Sequence, residues 1–240
     1  MTAIMPPTEN PTPEKDSDVT VVITSCGRQD LLDATLQSFL QFNSYPIREY
    51  LITEDSGTPG INDALKRKYS ELPIVWIEEA RRGQLPCIDD AYSRVRTKYI
   101  FHCEDDWEFY ASGFIERSRL ILENCPGVLQ VWLRAEYDTS GHPLDSDRHV
   151  IVHGAEPLTF RRLSYNFLGG RGPWHGFSFN PGLRRLADYT LIGNYAQYQT
   201  ETKVSAAYKA RLMSAVVMCG DGYVRHLGEG RHIIDKATGR

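Results

Sequence analysis

The sequence lacks the cysteine pattern of a secreted or zinc-stabilised protein. Its 240 residues include five cysteines, an odd number, at positions 26, 87, 103, 125 and 219. No two of them are spaced as Cys-x-x-Cys, which argues against both a disulfide framework and a structural zinc site. We therefore expect a protein of the reducing cytoplasm.

Long hydrophobic runs and an excess of positive charge are also missing. The longest apolar run, Ala215–Cys219, is far shorter than the roughly 20 residues that span a bilayer. The first residues show no basic region followed by an apolar core, so no secretory signal is expected. With 27 basic and 31 acidic residues the net charge is −4, and no global field favours nucleic acid. We expect a soluble chain with no integral membrane segment and no nucleic-acid partner.

What the sequence does contain is an alternation of strand and helix patterns after a polar leader. Residues 1–17 include four prolines and little to bury, which predicts disorder. Helical spacing of apolar residues predicts helices between the strands, the first ending near Phe42. Such alternation is typical of a mainly parallel α/β sheet with helices on both faces. Apolar and β-branched runs predict strands over Val19–Thr24, Tyr50–Thr53, Ile74–Ile77, Tyr99–His102 and Val128–Leu133.

The chain after Leu133 is less regular. Residues 134–182 are rich in Gly, Pro, Arg, His and aromatics, and regular patterns return with a helix from about Glu201 to Leu212 and a strand over Ser214–Met218. The length allows one substantial core. We therefore expect a single domain in which residues 18–133 form one half and residues 134–240 form a second half that completes a site.

Polar groups follow three of the predicted strands. Ser25–Arg28, Glu54-Asp55 and Glu104–Asp106 each come directly after an apolar run. Ligands of parallel sheets bind at the carboxyl ends of the strands, so these segments are predicted to share a crevice. The nearby pair Arg81-Arg82 could contact phosphate there, or lie on a solvated face.

The three consecutive carboxylates of Glu104–Asp106 are the most informative of these groups. They lie between Tyr99–Phe101 and Trp107, all apolar or aromatic in character. Carboxylates packed this closely repel one another unless a cation or protons intervene. A divalent-cation site is the favoured interpretation, and an acidic turn is the alternative.

Taken in order, these segments resemble the first half of a GT-A fold glycosyltransferase, closest to glycosyltransferase family 2. Val21–Leu36 is similar to the family's first strand and helix, and Tyr50–Gly57 to its second strand, which ends in acids that contact the nucleotide. Tyr99–Asp106 lies where the family has its D-x-D metal motif. The Glu-Asp-Asp form also resembles the acidic motif of N-acetylglucosaminyltransferase I-type enzymes, which share the fold.

The resemblance extends into the second half, to about His232. Gly176–Asn180 is similar to the family's acceptor-side glycine and aromatic segment, and Glu201 begins a segment similar to its E-D-x-x-L helix start. Thr202 stands where the family often has a second acid, so Glu201 is the remaining base of that motif. His226 falls where many GT-A enzymes have a late histidine on the metal.

The resemblance assigns a role to each candidate residue. Glu201 is the expected catalytic base, with Asp188 in reserve. Asp106 is the first choice of ligand for Mn²⁺ or Mg²⁺, with Glu104 and His226 beside it. The acceptor is expected to contact Trp174, His175 and Gly176. The expected donor contacts are Ser25, Cys26, Arg28, Glu54, Asp55, Gly83, Glu104, Asp105 and Arg231.

Several of these residues also have an ordinary structural interpretation. An acid such as Glu201 in a first helical turn is favoured by the helix dipole alone. Asp55, in an Asp-Ser-Gly sequence, is typical of turns in any protein. His226 could equally be a structural histidine, and the segment around Arg231 a solvated terminus.

Together the patterns and the resemblance predict a metal-dependent inverting glycosyltransferase with a nucleotide-diphosphate sugar donor, uridine-linked by preference. The acceptor is a glycan, a lipid-linked sugar or a small molecule. A nucleotidyltransferase is one alternative, although Ser25–Arg28 has a single glycine where such enzymes have a glycine-rich loop. A non-catalytic nucleotide- or sugar-binding module is the other, and Thr202 is the residue that keeps it open.

Overall fold

The computed structural model describes residues 16–78, 81–153, 156–164, 176–211 and 213–228. The strands are β1 (Val19–Ser25), β2 (Glu49–Glu54), β3 (Ile74–Glu78), β4 (Tyr99–Glu104), β5 (Trp107–Phe109), β6 (Val128–Trp132), β7 (His149–His153), β8 (Glu156–Arg162), β9 (Gly182–Arg185), β10 (Ser214–Met218) and β11 (Val224–His226). The helices are α1 (Gln29–Phe42), α2 (Asp63–Lys68), α3 (Gln84–Arg94), α4 (Phe114–Asn124), α5 (Leu186–Ile192) and α6 (Glu201–Lys209), with a 3₁₀ turn over Tyr195–Tyr198.

Nine of the strands form one sheet in the order β3-β2-β1-β4-β9-β6-β10-β8-β7. All of them except β8 and β9 run in the same direction. The remaining two, β5 and β11, pair antiparallel in a small second sheet that places His226 opposite Trp107. The predicted mixed, mainly parallel α/β sheet is confirmed.

Both faces of the sheet are covered, as the continuous apolar strands require. Successive residues of β1 point to opposite sides: Val21 belongs to the core under α1 and α4, and Val22 to the core under α3, α5 and α6. All seven residues of β1 are buried. No helix within the described ranges is both long and apolar enough to cross a membrane.

Strand β9 decides which loops of the second half reach the site. It enters between β4 and β6 and runs antiparallel to both, with Gly182 beside His102 and Arg185 beside Tyr99. Gly182 is required here, since a Cβ would lie 2.5 Å from the carbonyl oxygen of Val131. Residues 176–180 therefore arrive at the carboxyl end of β4, whereas α5 begins at the opposite edge of the sheet.

Candidate active site

A cleft of about 1410 Å³ opens at the carboxyl ends of β1, β2 and β4. The start of α3 and the start of α6 form two of its sides, and the segments 132–142 and 178–180 contribute the rest. Residues from these places that line it include Ser25, Asp55, Gly83, Glu104, Asp106, Trp132, Arg134, Ser140, His142, Ser178, Asn180, Gln199 and Glu201, and β11 adds His226.

Arg28 links the loop after β1 to the acidic motif. Its guanidinium pairs with the Asp105 carboxylate, and its Nη1 lies 2.8 Å from Asp106 Oδ2. The Asp105 side chain is fully buried and also accepts a 2.8 Å hydrogen bond from Ser25 Oγ. Burial raises the pKa of Asp105 to about 6, although Arg28 and Ser25 act to lower it. Asp105 is thus an internal anchor and does not line the cleft.

Asp106 faces the cleft and is bonded on one oxygen only. Its Oδ2 contacts Arg28 and lies 3.3 Å from His226 Nε2. Its Oδ1 is buried and has no hydrogen-bond donor among the described residues. Burial tends to raise the pKa of Asp106, but the bonds from His226 and Arg28 outweigh it and lower that pKa below its ordinary value. Asp106 is therefore ionised, with one acceptor oxygen unused.

Residues 226–228, at the end of β11 and after it, pack against Asp106. Leu227 N–H donates to the Asp106 carbonyl oxygen over 2.7 Å, just after β11 pairs with β5. A Cβ at Gly228 would overlap the Asp106 carboxylate. The hydrogen bond to Asp106 raises the pKa of His226 above its ordinary value. Glycine at position 228 thus lets the chain approach the acid closely.

These residues fit a hard divalent cation whose coordination is completed by substrate. Asp106 Oδ1 is an orphaned buried acceptor, His226 supplies an imidazole nitrogen, and Glu104 is a second carboxylate of the same cleft. Mg²⁺ and Mn²⁺ are usually held by one or two carboxylates, with substrate phosphates and water at the other positions. Within the described ranges no group of three or more such side chains is gathered to hold a metal by itself.

Glu104 and Glu201 are carboxylates with weakened acidity. Burial, with Asp106, Glu201 and Asp105 nearby, raises the pKa of Glu104 to about 7. Burial also raises the pKa of Glu201 to about 7, against the opposing effects of the Phe179 N–H and of Arg184. Glu104 accepts a 3.0 Å hydrogen bond from Gln84 Nε2. The cleft thus contains two carboxyl groups whose pKa values burial raises toward neutral pH.

The two acids at the end of β2 have different surroundings. Glu54 points into the protein, where its carboxylate accepts from the N–H groups of Gly27 (2.9 Å) and Ser56 (2.8 Å), and it does not line the cleft. Asp55 does line the cleft. Its two oxygens accept from Arg82 N–H (2.6 Å) and Gly83 N–H (2.8 Å), so it fixes the loop that begins α3.

The wall around Glu201 is built from neutral groups. Gln130 accepts from Ser178 N–H (3.2 Å) and donates to the Asn180 carbonyl (3.1 Å), and Ser205 Oγ accepts from Phe177 N–H (3.1 Å). Glu201 itself accepts from Phe179 N–H over 3.4 Å. Side-chain bonds to the backbone therefore hold the segment 176–180, which belongs to no strand or helix.

Arg184 lies behind this wall and is almost fully buried, at 1 % exposed. Its guanidinium donates to the Ser178 carbonyl over 3.2 Å and lies 5.1 Å from the centre of the Phe177 ring. Burying a cation costs free energy unless opposite charges or hydrogen bonds compensate it. The positive charge of Arg184 lowers the pKa of Glu201. Arg184 thus favours the ionised form of that carboxylate.

The structure brings most of the sequence-predicted residues together. Gly176 packs against Ala215 and, like Glu54 and Asp105, does not line the cleft. Trp174, His175 and Arg231 lie outside the described residues. The predicted residues that line the cleft are Ser25, Cys26, Arg28, Asp55, Gly83, Glu104, Asp106, Glu201 and His226.

Asp188, the predicted reserve base, is not at the site. It lies in the first turn of α5 and pairs with Arg185 over 2.9 Å, beside the amino end of β4. The antiparallel course of β9 moves α5 to the edge of the sheet opposite the cleft. A hydrophobic pattern predicts a helix but does not tell at which edge of the sheet the helix begins. The sequence alone therefore could not exclude Asp188 from the active site.

Sequence reasoning missed several residues that lie at the end of β6 or after it. Trp132, Arg134, Ser140, His142 and Gln199 all line the cleft. They belong to no recognisable sequence motif. The irregular composition of 134–182, rich in Gly, Pro, Arg, His and aromatics, indicates that the second half completes a site but does not single out these side chains.

No family model and no curated protein matches this sequence. Solved structures do match the fold. The mannosyltransferase PcManGT from Pyrobaculum calidifontis, in complex with GDP-Man and Mn²⁺, superposes with a TM-score of 0.57 at 14 % identity, covering 88 % of this chain and 59 % of that one. TarS from S. aureus superposes with a TM-score of 0.60 at 11 % identity, covering 87 % and 60 %.

A further structure of TarS, in complex with UDP-GlcNAc, gives a TM-score of 0.59 at 9 % identity, with 90 % of this chain and 62 % of that one covered. The chain therefore spans less than two thirds of the length of these proteins. At such identities the likeness concerns the fold. The chain has the GT-A fold.

Proposed function

We propose that the protein is a metal-dependent, inverting glycosyltransferase that uses a nucleotide-diphosphate sugar. The observation that supports this most directly is the Asp106 carboxylate, ionised and with one oxygen unused, in the same cleft as Glu201. Asp106, with Glu104 and His226, would hold a hard cation, which would supply positive charge to offset that of a departing diphosphate.

Charged groups of the chain itself surround the proposed diphosphate position. Arg28 holds Asp106 in place through its ion pair, and His226 approaches the same oxygen from β11. Arg81 and Arg82 line the cleft at the loop that Asp55 fixes, and their guanidinium groups suit phosphate oxygens. The nucleotide is proposed to lie between this loop and the segment Ser25–Arg28.

Glu201 is proposed to accept the proton of the attacking hydroxyl. Inversion needs one base at the acceptor side, and a general base works best with a pKa near the working pH. The pKa of Glu201, raised to about 7 by burial, meets that condition. Its hydrogen bond from Phe179 N–H orients the carboxylate.

A uridine-linked donor is the proposed choice. TarS has been determined with UDP and with UDP-GlcNAc, and PcManGT with GDP-Man and Mn²⁺. Each Asp55 oxygen already accepts a hydrogen bond from a backbone N–H group. A hydrogen bond from the nucleotide base to Asp55 would therefore use a remaining lone pair of one of these oxygens. Binding of uridine and guanosine diphosphates distinguishes the two bases.

Thermal melting with and without metal tests the proposal. Uridine diphosphate at about a hundredfold excess over its Kd is expected to raise Tm by about 5–10 °C in the presence of Mn²⁺, and by far less in EDTA. Guanosine diphosphate is expected to raise it less. Asp106→Ala should abolish the shift, whereas Asp147→Ala, an exposed loop acid, should retain it.

Two outcomes would contradict this function. One is an equal shift in EDTA, and the other is a full shift in the Asp106→Ala protein. Slow metal-dependent hydrolysis of the sugar donor, assayed on the same samples, separates an enzyme from a non-catalytic binding module, which would show the shift without turnover.

A further inference from the structure

The wall of the cleft around Glu201 contains one charged group and several neutral polar ones. No Lys or Arg within described residues 178–202 lines the cleft. Amides and hydroxyls both donate and accept hydrogen bonds, which suits a ligand with many hydroxyl groups. The members of this wall are Ser178, Asn180, Gln199, Thr200, Glu201 and Thr202, with Ala196.

The arginines of the cleft, Arg81 and Arg82 among them, lie on its other sides. Arg28 is paired with Asp105 and Asp106, and Arg134 Nη2 lies 3.0 Å from both carboxylate oxygens of Asp138. Burial, with Arg134 nearby, lowers the pKa of His142 to about 4, so this histidine is neutral at pH 7. An anionic group placed beside Glu201 would therefore meet a like charge, and among the described residues 178–202 no cationic side chain lines the cleft to offset it; the Arg184 guanidinium lies behind the wall.

Backbone strain indicates that part of this region is under functional constraint. Ser140 (φ +52°) and Gln199 (φ +68°) are the non-glycine residues with positive φ in the described chain, and both line the cleft. A left-handed conformation costs roughly 1–2 kcal/mol for such residues. Strain of this kind is concentrated at functional sites.

Two side-chain amides on this wall, those of Gln199 and Asn180, have NH₂ groups that can donate hydrogen bonds to a ligand. Gln199 accepts from Lys203 Nζ through Oε1 (2.7 Å), which leaves its NH₂ group available. The Asn180 backbone is fixed at both ends, by Ser178 Oγ at its N–H and by Gln130 at its carbonyl. Its half-buried side-chain amide makes no hydrogen bond within the described ranges and borders the cleft.

Building on the glycosyltransferase function proposed above, we propose that the acceptor is a neutral carbohydrate. One hydroxyl group lies at Glu201, and neighbouring hydroxyls are bound by the amides of Asn180 and Gln199. The acceptor oxygen forms a bond to the anomeric carbon while the bond from that carbon to the diphosphate oxygen breaks. The electron pair leaves with the diphosphate, and the hydroxyl proton passes to Glu201.

Matched pairs of sugars test the charge of the acceptor. Release of the nucleotide diphosphate from UDP-GlcNAc or UDP-glucose is measured with Mn²⁺, first alone and then with glucose, glucuronic acid, glucose 6-phosphate, galactose, galacturonic acid, and neutral disaccharides. At least one neutral sugar is expected to accelerate release about tenfold over hydrolysis. Its anionic counterpart is expected to give less than a tenth of that acceleration.

The failure of this inference is distinguishable from failure of the proposed function. If no metal-dependent hydrolysis occurs, the glycosyltransferase function is wrong, and the acceptor assignment fails with it. If hydrolysis occurs but no neutral sugar accelerates it, or an anionic partner does so equally well, the acceptor assignment alone is overturned.

Two variants localise the sugar to this wall. Asn180→Ala and Gln199→Gly are each expected to raise the KM for the accelerating sugar about tenfold, as expected for loss of a hydrogen bond. Glycine tolerates the left-handed backbone conformation at position 199, so Gln199→Gly should not lower Tm. A higher KM in this variant can then not be attributed to unfolding. Asn124→Ala, exposed at the end of α4, is the control. An unchanged KM in both variants would overturn the assignment.

Discussion

The two walls of the cleft are built by different interactions. At the ends of β1 and β4, Arg28 joins two carboxylates, one of which is fully buried. Around Glu201, the segment 176–180 is held by neutral side chains that bond to its backbone, chiefly Gln130 and Ser205. One wall is an ion-pair network and the other is a set of dipolar hydrogen bonds.

This difference has consequences for both stability and substrate. A buried charge that loses its partner is strongly destabilising, whereas a lost neutral hydrogen bond typically costs about 1–3 kcal/mol. The charged wall suits a diphosphate with its metal, and the neutral wall suits hydroxyl groups. The two walls should therefore respond differently to mutation and to pH.

The largest effect is expected from Glu201→Gln, which keeps the shape of the neutral wall and removes its one charge. Turnover should fall about 10²–10⁴-fold, as general-base loss implies, while nucleotide-dependent melting shifts persist. In the wild type, activity should rise with pH through about 7 as Glu201 loses its proton. Steady-state kinetics from pH 5.5 to 8.5 measures both effects.

Glu71→Gln is the matched control for this substitution, because Glu71 is an exposed acid in the turn before β3. It should retain both the rate and the pH dependence. If Glu201→Gln kept the wild-type rate at pH 7.5, the base would have to be a different group of the cleft.

An intermediate effect is expected from Arg28→Met in the charged wall. It leaves Asp105 buried without its cation, which should cost about 3 kcal/mol, or a Tm lower by about 6–10 °C. The pKa of Asp105 is about 6 in the fold, above the value for an unfolded chain, and removing Arg28 raises it further. The protonated acid is tolerated, so the loss of Tm should be largest near pH 8 and shrink as pH falls below about 6.

A deficit that stayed constant between pH 5 and pH 8 would show that lost packing, and not the stranded charge, destabilises the Arg28→Met protein. Asp105→Asn combined with Arg28→Met should recover most of the stability at high pH, because the double variant buries no charge.

The smallest effect is expected from Ser205→Ala in the neutral wall. It leaves the buried Phe177 N–H without its acceptor, which should cost about 1–2 kcal/mol. No titrating group is involved, so the loss of Tm should be the same from pH 5 to pH 8. Chemical denaturation at both pH values measures it. A strongly pH-dependent loss would contradict the separation between the two walls.

The parts that the sequence predicts best depend on local patterns. Val19–Thr24 and Tyr99–His102 are continuous apolar runs, and both are central strands of the sheet. Glu104 and Asp106, at the end of the second run, line the cleft as expected. These features need no knowledge of distant residues.

The parts that the sequence does not predict depend on distant partners. β9 and β11 are four and three residues long, and each exists because a remote strand pairs with it. The same dependence explains Asp188, whose position follows from the direction of β9. Gln199 and Ser140 are recognisable only once their backbone angles are known.

The insertion of β9 between β4 and β6 has a consequence for synthesis of the chain. Residues 99–104 and 128–132 are made early, but their facing edges remain unpaired until residues 182–185 leave the ribosome. Unpaired strand edges recruit other strands, so nascent and truncated chains are prone to aggregate. Fragments that end before Gly182 should therefore be poorly soluble, and fragments that extend beyond β10 should be more soluble.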